Sequence, residues 1–139
     1  MTMSASDARL AAQLAALLEA EPDVVVAYLF GSRARGTARA GSDADVAVLL
    51  ADDADPHARH VELSAALGPD VDVVVLNHAP VALGYRVLRD GVVLVNRDDH
   101  ARVRHWVRTV DRYLDSEPLR RVLADGLRRR LEEDRFGRP

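Results

Sequence analysis

Apolar residues recur along this chain at two periods, and the changes of period divide it into helices and strands. Ser4 and Asp7 have the spacing of a capping box ahead of Leu10, Leu14, Leu17 and Leu18, which predicts an amphipathic helix running to about Ala20. "DVVVAYLF" follows, β-branched and aromatic between Pro22 and Gly31, and reads as a buried strand. A second strand is expected from Asp43 to Leu50, a helix over "PHARHVELSAAL" with Pro56 in its first turn, and a third strand at "DVDVVVLN". These three strands are expected to form the centre of a sheet. Pro80 to about Arg89 predicts a short helix stopped at "DG", and "VVLVN" a fourth, shorter strand. Two helices are expected to close the chain. Asp98 and Asp99 suit the start of the first, whose face carries Val103, Trp106, Val107, Val110 and Leu114; Ser116 and Pro118 would open the second, with Leu119, Val122, Leu123, Leu127 and Leu131 as its stripe. The terminal "RFGRP" reads as frayed.

Alternating elements of this kind predict α/β (α+β) layering, here a mixed sheet of about four strands flanked by helices. A length of 139 residues suits one domain over residues 1–139, with 98–135 as a C-terminal helical extension. No apolar run approaches the eighteen or so residues needed to cross a bilayer, and no basic start with an apolar stretch marks a signal peptide, so a cytoplasmic protein is expected. The absence of cysteine excludes disulfides and thiolate metal sites. Charge changes the picture more. Residues 1–100 hold 8 Arg against 15 acids, a net of −7, whereas 101–139 hold 11 Arg against 7 acids, a net of +4. The overall −3 argues against direct binding of nucleic acid, while the basic end suits an acidic partner or a solvated helix face.

Candidate chemistry gathers in "FGSRARGTARAGSDADVAVLL", residues 30–50. Strand side chains alternate, so Asp43 and Asp45 project to one side together with Ala47 and Leu49. Neighbouring carboxylates disfavour double ionisation, and a divalent cation is the natural compensation. Asp72 interrupts an otherwise apolar strand, a position where aspartate is disfavoured. If that strand lies beside the one bearing Asp43 and Asp45, three carboxylates converge as oxygen ligands for one or two Mg²⁺ ions. The alternative for each acid is a strand-end polar residue or turn former, the reading that suits Asp70 after "GP". Gly31 lets a backbone turn sharply against a ligand, Ser32 offers a hydroxyl and an N–H, and Arg33 and Arg35 add charge for a triphosphate. A Walker loop and a dinucleotide-binding loop are both excluded, since neither "GK[ST]" nor G-x-G-x-x-G is present. Taken together, a phosphate cradle, paired acids ten residues on and a third acid on a later strand describe a nucleoside triphosphate site with two metals.

Gly31-Ser32, ten intervening residues and Asp43-Ala44-Asp45 resemble the GS-x10-D-x-D pattern of the DNA polymerase beta-like nucleotidyltransferase superfamily. The stretch is similar to its minimal nucleotidyltransferase (MNT) branch, the antitoxins of HEPN/MNT toxin-antitoxin pairs. The likeness is dense over residues 24–50, continues at "VDVVVLN" and extends loosely to "LRDGVVLVNRDDHARVRHW". It implies the nucleotidyltransferase fold, with Asp43, Asp45 and Asp72 as catalytic and metal-binding acids and Gly31 and Ser32 on the β- and γ-phosphates. ATP would be the substrate, two Mg²⁺ the cofactors, and the partner a cognate HEPN ribonuclease toxin that receives AMP on a tyrosine while bound in a hetero-oligomer. Relatives that modify tRNA or antibiotics carry further domains for the acceptor, and a chain of this length has no room for one. Two other functions stay open: neutralisation by binding alone, through the Arg-rich C-terminal helices, and transfer to a small hydroxylated molecule such as an aminoglycoside.

Elsewhere the sequence is less specific. His57 and His60 have a metal-compatible spacing without neighbouring ligands, and His78, His100 and His105 are scattered. Tyr28, Trp106 and Tyr113 sit at core spacings, and Tyr85 is placed where it could line a nucleotide pocket. "RRRLEEDR" reads as an ion-paired helix end.

Overall fold

The computed structural model describes residues 3–38 and 41–136. Arg39 and Ala40 of the motif segment, residues 137–139 of the expected frayed end and the side chain of Leu119 lie outside the described residues. In chain order the elements are α1 (Ala5–Glu19), β1 (Val24–Phe30), α2 (Ser32–Arg35), β2 (Ala44–Leu50), α3 (Pro56–Leu67), β3 (Val71–Val75), a 3-10 turn (Leu76–His78), α4 (Val81–Asp90), β4 (Val92–Asn96) and α5 (Asp99–Phe136). Helix α1 starts where Ser4 Oγ accepts the Asp7 N–H at 3.1 Å, and it buries Asp7, Ala11, Leu14 and Leu18. Leu17, expected on that stripe, is half exposed on the outer side.

The strands form one mixed sheet in the order β3-β2-β1-β4. β1 is antiparallel to β2 and β4, while β2 and β3 are parallel. The expected centre is thereby corrected: β1 and β2 occupy it, and β3 is an edge. Buried along nearly its whole length, β1 requires hydrogen-bond partners on both sides. β3, five residues long and carrying an exposed Asp72, tolerates an edge, where His60 Nε2 on α3 donates to the Val73 carbonyl at 3.0 Å.

Period-2 alternation sorts the side chains between two faces. Ala44, Val46, Val48 and Leu50 pack with Leu14, Leu18 and Leu63 of α1 and α3, whereas Ala47 joins Val26, Tyr28, Phe30, Leu76 and Val87 on the α4 side. Two polar clamps hold the layers. Arg59 on α3 donates to both carboxylate oxygens of Asp23 at 2.6 and 2.8 Å and to Glu21 at 2.8 Å, tying α3 to the turn before β1. The Asn77 side chain accepts the Leu50 N–H at 2.9 Å and donates to the Leu50 carbonyl at 3.0 Å, fixing the end of β2.

The C-terminal region differs from expectation in two ways. First, one helix, α5, runs from Asp99 to Phe136 with Pro118 inside it, in place of two helices. Ser116 does not cap a new helix: its hydroxyl donates back to the Tyr113 carbonyl at 2.8 Å. Second, the apolar stripe faces outward. α5 lies on α4 through Thr109, set over the bare Cα of Gly84, and through Tyr113, whose ring stacks on Tyr85 at 3.8 Å. Val103, Trp106, Val107 and Leu114, and beyond them Val122, Leu123, Leu127 and Leu131, are between 43% and 63% exposed. Trp106 is therefore no core residue, while Tyr28 is buried as its spacing suggests.

Leu29→Ala, at a fully buried position on β1, is expected to cost about 2–5 kcal/mol in urea unfolding of the isolated chain. Leu127→Ala should cost less than about 0.5 kcal/mol in the same measurement, because its side chain is already largely in water.

Candidate active site

β1 delivers the chain into Gly31, whose φ of 77° and ψ of −155° suit glycine alone. A Cβ there would overlap the carboxylate of Asp45, because Phe30 and Asp45 are register partners across β1 and β2. Ser32 to Arg35 make a single helical turn, closed where the Arg35 N–H bonds to the Gly31 carbonyl at 3.1 Å and stopped by Gly36 in the left-handed conformation. The N–H groups of Ser32, Arg33 and Ala34 precede that first intrahelical bond.

The two arginines of this turn have different surroundings. Arg33 donates to the Ser42 carbonyl from Nε at 3.2 Å and from Nη2 at 2.6 Å, and to buried Asp7 from Nη1 at 3.0 Å. Its guanidinium thus joins both ends of the loop from 32 to 42 to the first turn of α1. Arg33, expected on the phosphates, is engaged here in holding that loop. Arg33, followed by Ser4, keeps the Asp7 carboxyl below its usual range. Arg35 is exposed, and its charge acts on Asp45 and on Asp90 at the end of α4.

The acids meet through strand register. In the parallel pairing of β2 with β3, Asp45 stands opposite Asp72, so both side chains leave the same face side by side. Asp43 precedes β2 by one residue, on the face of Asp45 by alternation. Asp70 contributes its backbone instead, its carbonyl accepting the Ala44 N–H at 2.9 Å. Asp43 and Asp72 are exposed and Asp45 is half-buried. Burial raises the Asp45 pKa above the usual carboxylate range, and the charges of Asp72 and then Asp43 push it in the same direction against Arg35.

This donor set fits a hard divalent cation: all ligands are oxygens, and the repulsion raising Asp45 is what a cation would relieve. Among the described residues no three His, Cys, Asp or Glu side chains are already gathered closely enough to hold an ion by themselves. Mg²⁺ does not require that, since it keeps waters and substrate phosphates in its shell. Tyr85 is stacked on Tyr113, and Arg89 is paired with Asp90 at 2.9 Å. Sequence reading missed the part played by Asp7, although its signal was present: an acid four residues before Ala11 on an apolar helical stripe.

The polymerase beta nucleotidyltransferase model matches residues 12–100. Protein adenylyltransferase MntA from Shewanella oneidensis is 36% identical over 109 residues, covering 75% of this chain and 76% of that protein. A chain from a toxin-antitoxin crystal structure with AMP-PNP superposes with a TM-score of 0.70 at 32% identity, over 84% of this chain and 97% of that one. A chain from a complex of tri-AMPylated Shewanella oneidensis HEPN toxin with MNT antitoxin superposes with a TM-score of 0.67 at 29% identity, over 87% and 98%.

Because the folded state raises the Asp45 pKa, it holds a proton that the unfolded chain releases. Stability from this group is present below the ordinary aspartate pKa and lost as pH rises through the raised one. In EDTA at pH 7, Asp45→Asn should therefore raise the midpoint of thermal unfolding, and the gain should vanish near pH 3. Gly31→Ala is expected to lower the midpoint at both pH values, since the strain and the overlap with Asp45 do not depend on ionisation.

Proposed function

Since the chain belongs to the polymerase beta nucleotidyltransferase family, we propose that it is a cytoplasmic antitoxin adenylyltransferase, moving AMP from ATP to a tyrosine hydroxyl of a cognate HEPN-family toxin. The observation that carries this reading is the register of Asp45 with Asp72, set against the Gly31–Ser32 turn. Asp43, Asp45 and Asp72 would hold two Mg²⁺ ions, which when bound supply charge neutralisation for the attacking hydroxyl and the departing pyrophosphate.

The chain's own residues do the positioning. Gly31, lacking a Cβ, lets the Asp45 carboxylate lie against the turn, and Ser32 donates from its hydroxyl and N–H to the β- and γ-phosphates. Arg35, exposed on the same turn, offsets triphosphate charge, while Arg33 keeps the loop in place. The tyrosine oxygen attacks the α-phosphorus in line; a P–O bond forms to it and the bond to the β-phosphate bridging oxygen breaks, releasing pyrophosphate. The phenol proton passes to solvent or to exposed Asp72. The outward stripe of α5 gives the toxin an apolar surface to dock on, flanked by a surplus of arginine.

That same stripe favours a second reading, neutralisation by binding alone. Purified chain, toxin, labelled ATP and Mg²⁺ separate the two. Asp43→Asn with Asp45→Asn should reduce label transfer by about a thousandfold or more while toxin still co-elutes. If the double variant neutralises the toxin as well as the parent does, catalysis is not the mechanism. Label appearing on an aminoglycoside and never on toxin would instead assign a small-molecule acceptor. Arg35→Ala is expected to raise the KM for ATP by about tenfold, whereas Arg33→Ala should lower thermal stability as well as kcat.

A further inference from the structure

A cavity of about 580 Å³ opens at the far end of β2, between Leu49–Leu50, the 3-10 turn, the start of α4 and the first part of α5. Leu49 and Leu50 are four and five residues beyond Asp45, roughly 13–17 Å along the strand, so this space is distinct from the acid cluster. Its volume lies within the range of roughly 300–1,000 Å³ found for small-molecule sites.

The α5 wall of this cavity is cationic. Arg104, Arg108 and Arg112 line it at intervals of four residues, a row of guanidinium groups spanning roughly 12 Å of helix. Arg59, Arg89, Arg97, Arg102 and Arg128 each have a carboxylate partner, but these three have none among the described residues. Of the two carboxylates on the lining, Asp98 accepts the Ala101 N–H at 3.1 Å as the cap of α5, and Asp52 is exposed on the opposite wall. Between the arginines lies His105, whose Nδ1 is buried without a hydrogen-bond partner. Its Nε2 stands 3.5 Å from the hydroxyl of buried Thr109. When Thr109 donates to Nε2, the ring proton sits on Nδ1 as a further donor. Burial, then Arg108 and Arg112, hold the imidazole below its ordinary pKa, so it is neutral at pH 7 and adds a donor without adding charge.

A row of unpaired guanidinium groups, beside a buried ring nitrogen that becomes a donor when Thr109 bonds to Nε2, calls for acceptor oxygens on an anion. One carboxylate would engage one fork of the row; linked phosphates, each with several oxygens, can bridge neighbouring forks carried on Cβ atoms about 6 Å apart. The concave shape selects a small molecule over a flat macromolecular surface. We propose that this cavity binds a small molecule with two or more linked phosphates, of the nucleoside diphosphate size class, at a site separate from the catalytic acids.

The test is an NMR titration of the ¹⁵N-labelled full-length chain in EDTA, with pyrophosphate, ADP and glutarate as probes. Pyrophosphate is expected to shift the Thr109 amide and the His105 imidazole resonances saturably, and Arg108→Ala to weaken that binding about tenfold with an otherwise unchanged spectrum. Arg108→Lys should recover part of the loss, as charge is kept and the fork is not. Tighter binding of ADP than of pyrophosphate at the same resonances would assign a nucleotide as the ligand, and equal binding the phosphates alone. Shifts confined to Gly31 and Ser32 would overturn the proposal. So would glutarate matching pyrophosphate at Thr109, which would assign the arginines to acidic side chains of a protein partner.

Discussion

Two aspartates that repel one another are held side by side by backbone geometry. The parallel pairing of β2 and β3 aligns Asp45 with Asp72, and the hydrogen bonds of that ladder prevent either strand from slipping by one residue, which would turn one carboxylate to the opposite face. Gly31 closes the arrangement from the other side, since any larger residue would occupy the space of the Asp45 carboxylate. Burial first, and then the charges of Asp72 and Asp43, raise the pKa of Asp45 in this arrangement. Such a cluster stores unfavourable energy in the free protein that a bound cation would relieve, which sets it apart from an ordinary strand end.

The remainder of the body makes that constraint durable. β1 and β2 bury nearly all their side chains, so the strands cannot shift without opening a core that runs from Leu14 and Leu18 through Val46 to Leu63. Arg33 binds the loop before β2 to Asp7, and Arg59 binds α3 to the turn before β1. These arginines work through fixed, multiple hydrogen bonds to groups shielded from water, where a guanidinium fork holds geometry better than a point charge. Arg35, Arg104, Arg108 and Arg112 have no such partners among the described residues and remain available to ligands. In a chain whose basic residues are all arginine, it is partner and burial, not residue type, that separate structural from functional cations.

α5 divides the molecule's surfaces. Its polar face, with Thr109 and Tyr113, lies against α4, and the smallness of Gly84 permits that approach. Its apolar face is left to solvent over some eight turns, a condition costly for a helix by itself that a partner would relieve. The apolar stripe of α5, the acid cluster and the arginine-lined cavity thus occupy different parts of one small fold.

Much of this was legible in residue order. The helix and strand periods located eight of the ten elements, α5 being expected as two helices, the chemistry of "GS" and "DAD" with ten residues between pointed to a triphosphate site, and Asp72 was visible as an acid where a strand does not want one. These are local signals, set by spacing along the chain. What sequence left undecided were relations between distant segments. That β3 is an edge follows from β4 pairing with β1, a competition among strands with similar patterns. That Arg33 clamps a loop depends on Asp7, twenty-six residues earlier. Periodicity showed which residues of α5 share a face, yet Gly84 and the Tyr85 ring determined which face turns inward, and the cavity beside it exists only because β2, the 3-10 turn, α4 and α5 meet there. Periodic patterns report what a segment can bury; only the assembled chain decides which surface is opposite it, because packing is a contest among all the faces at once.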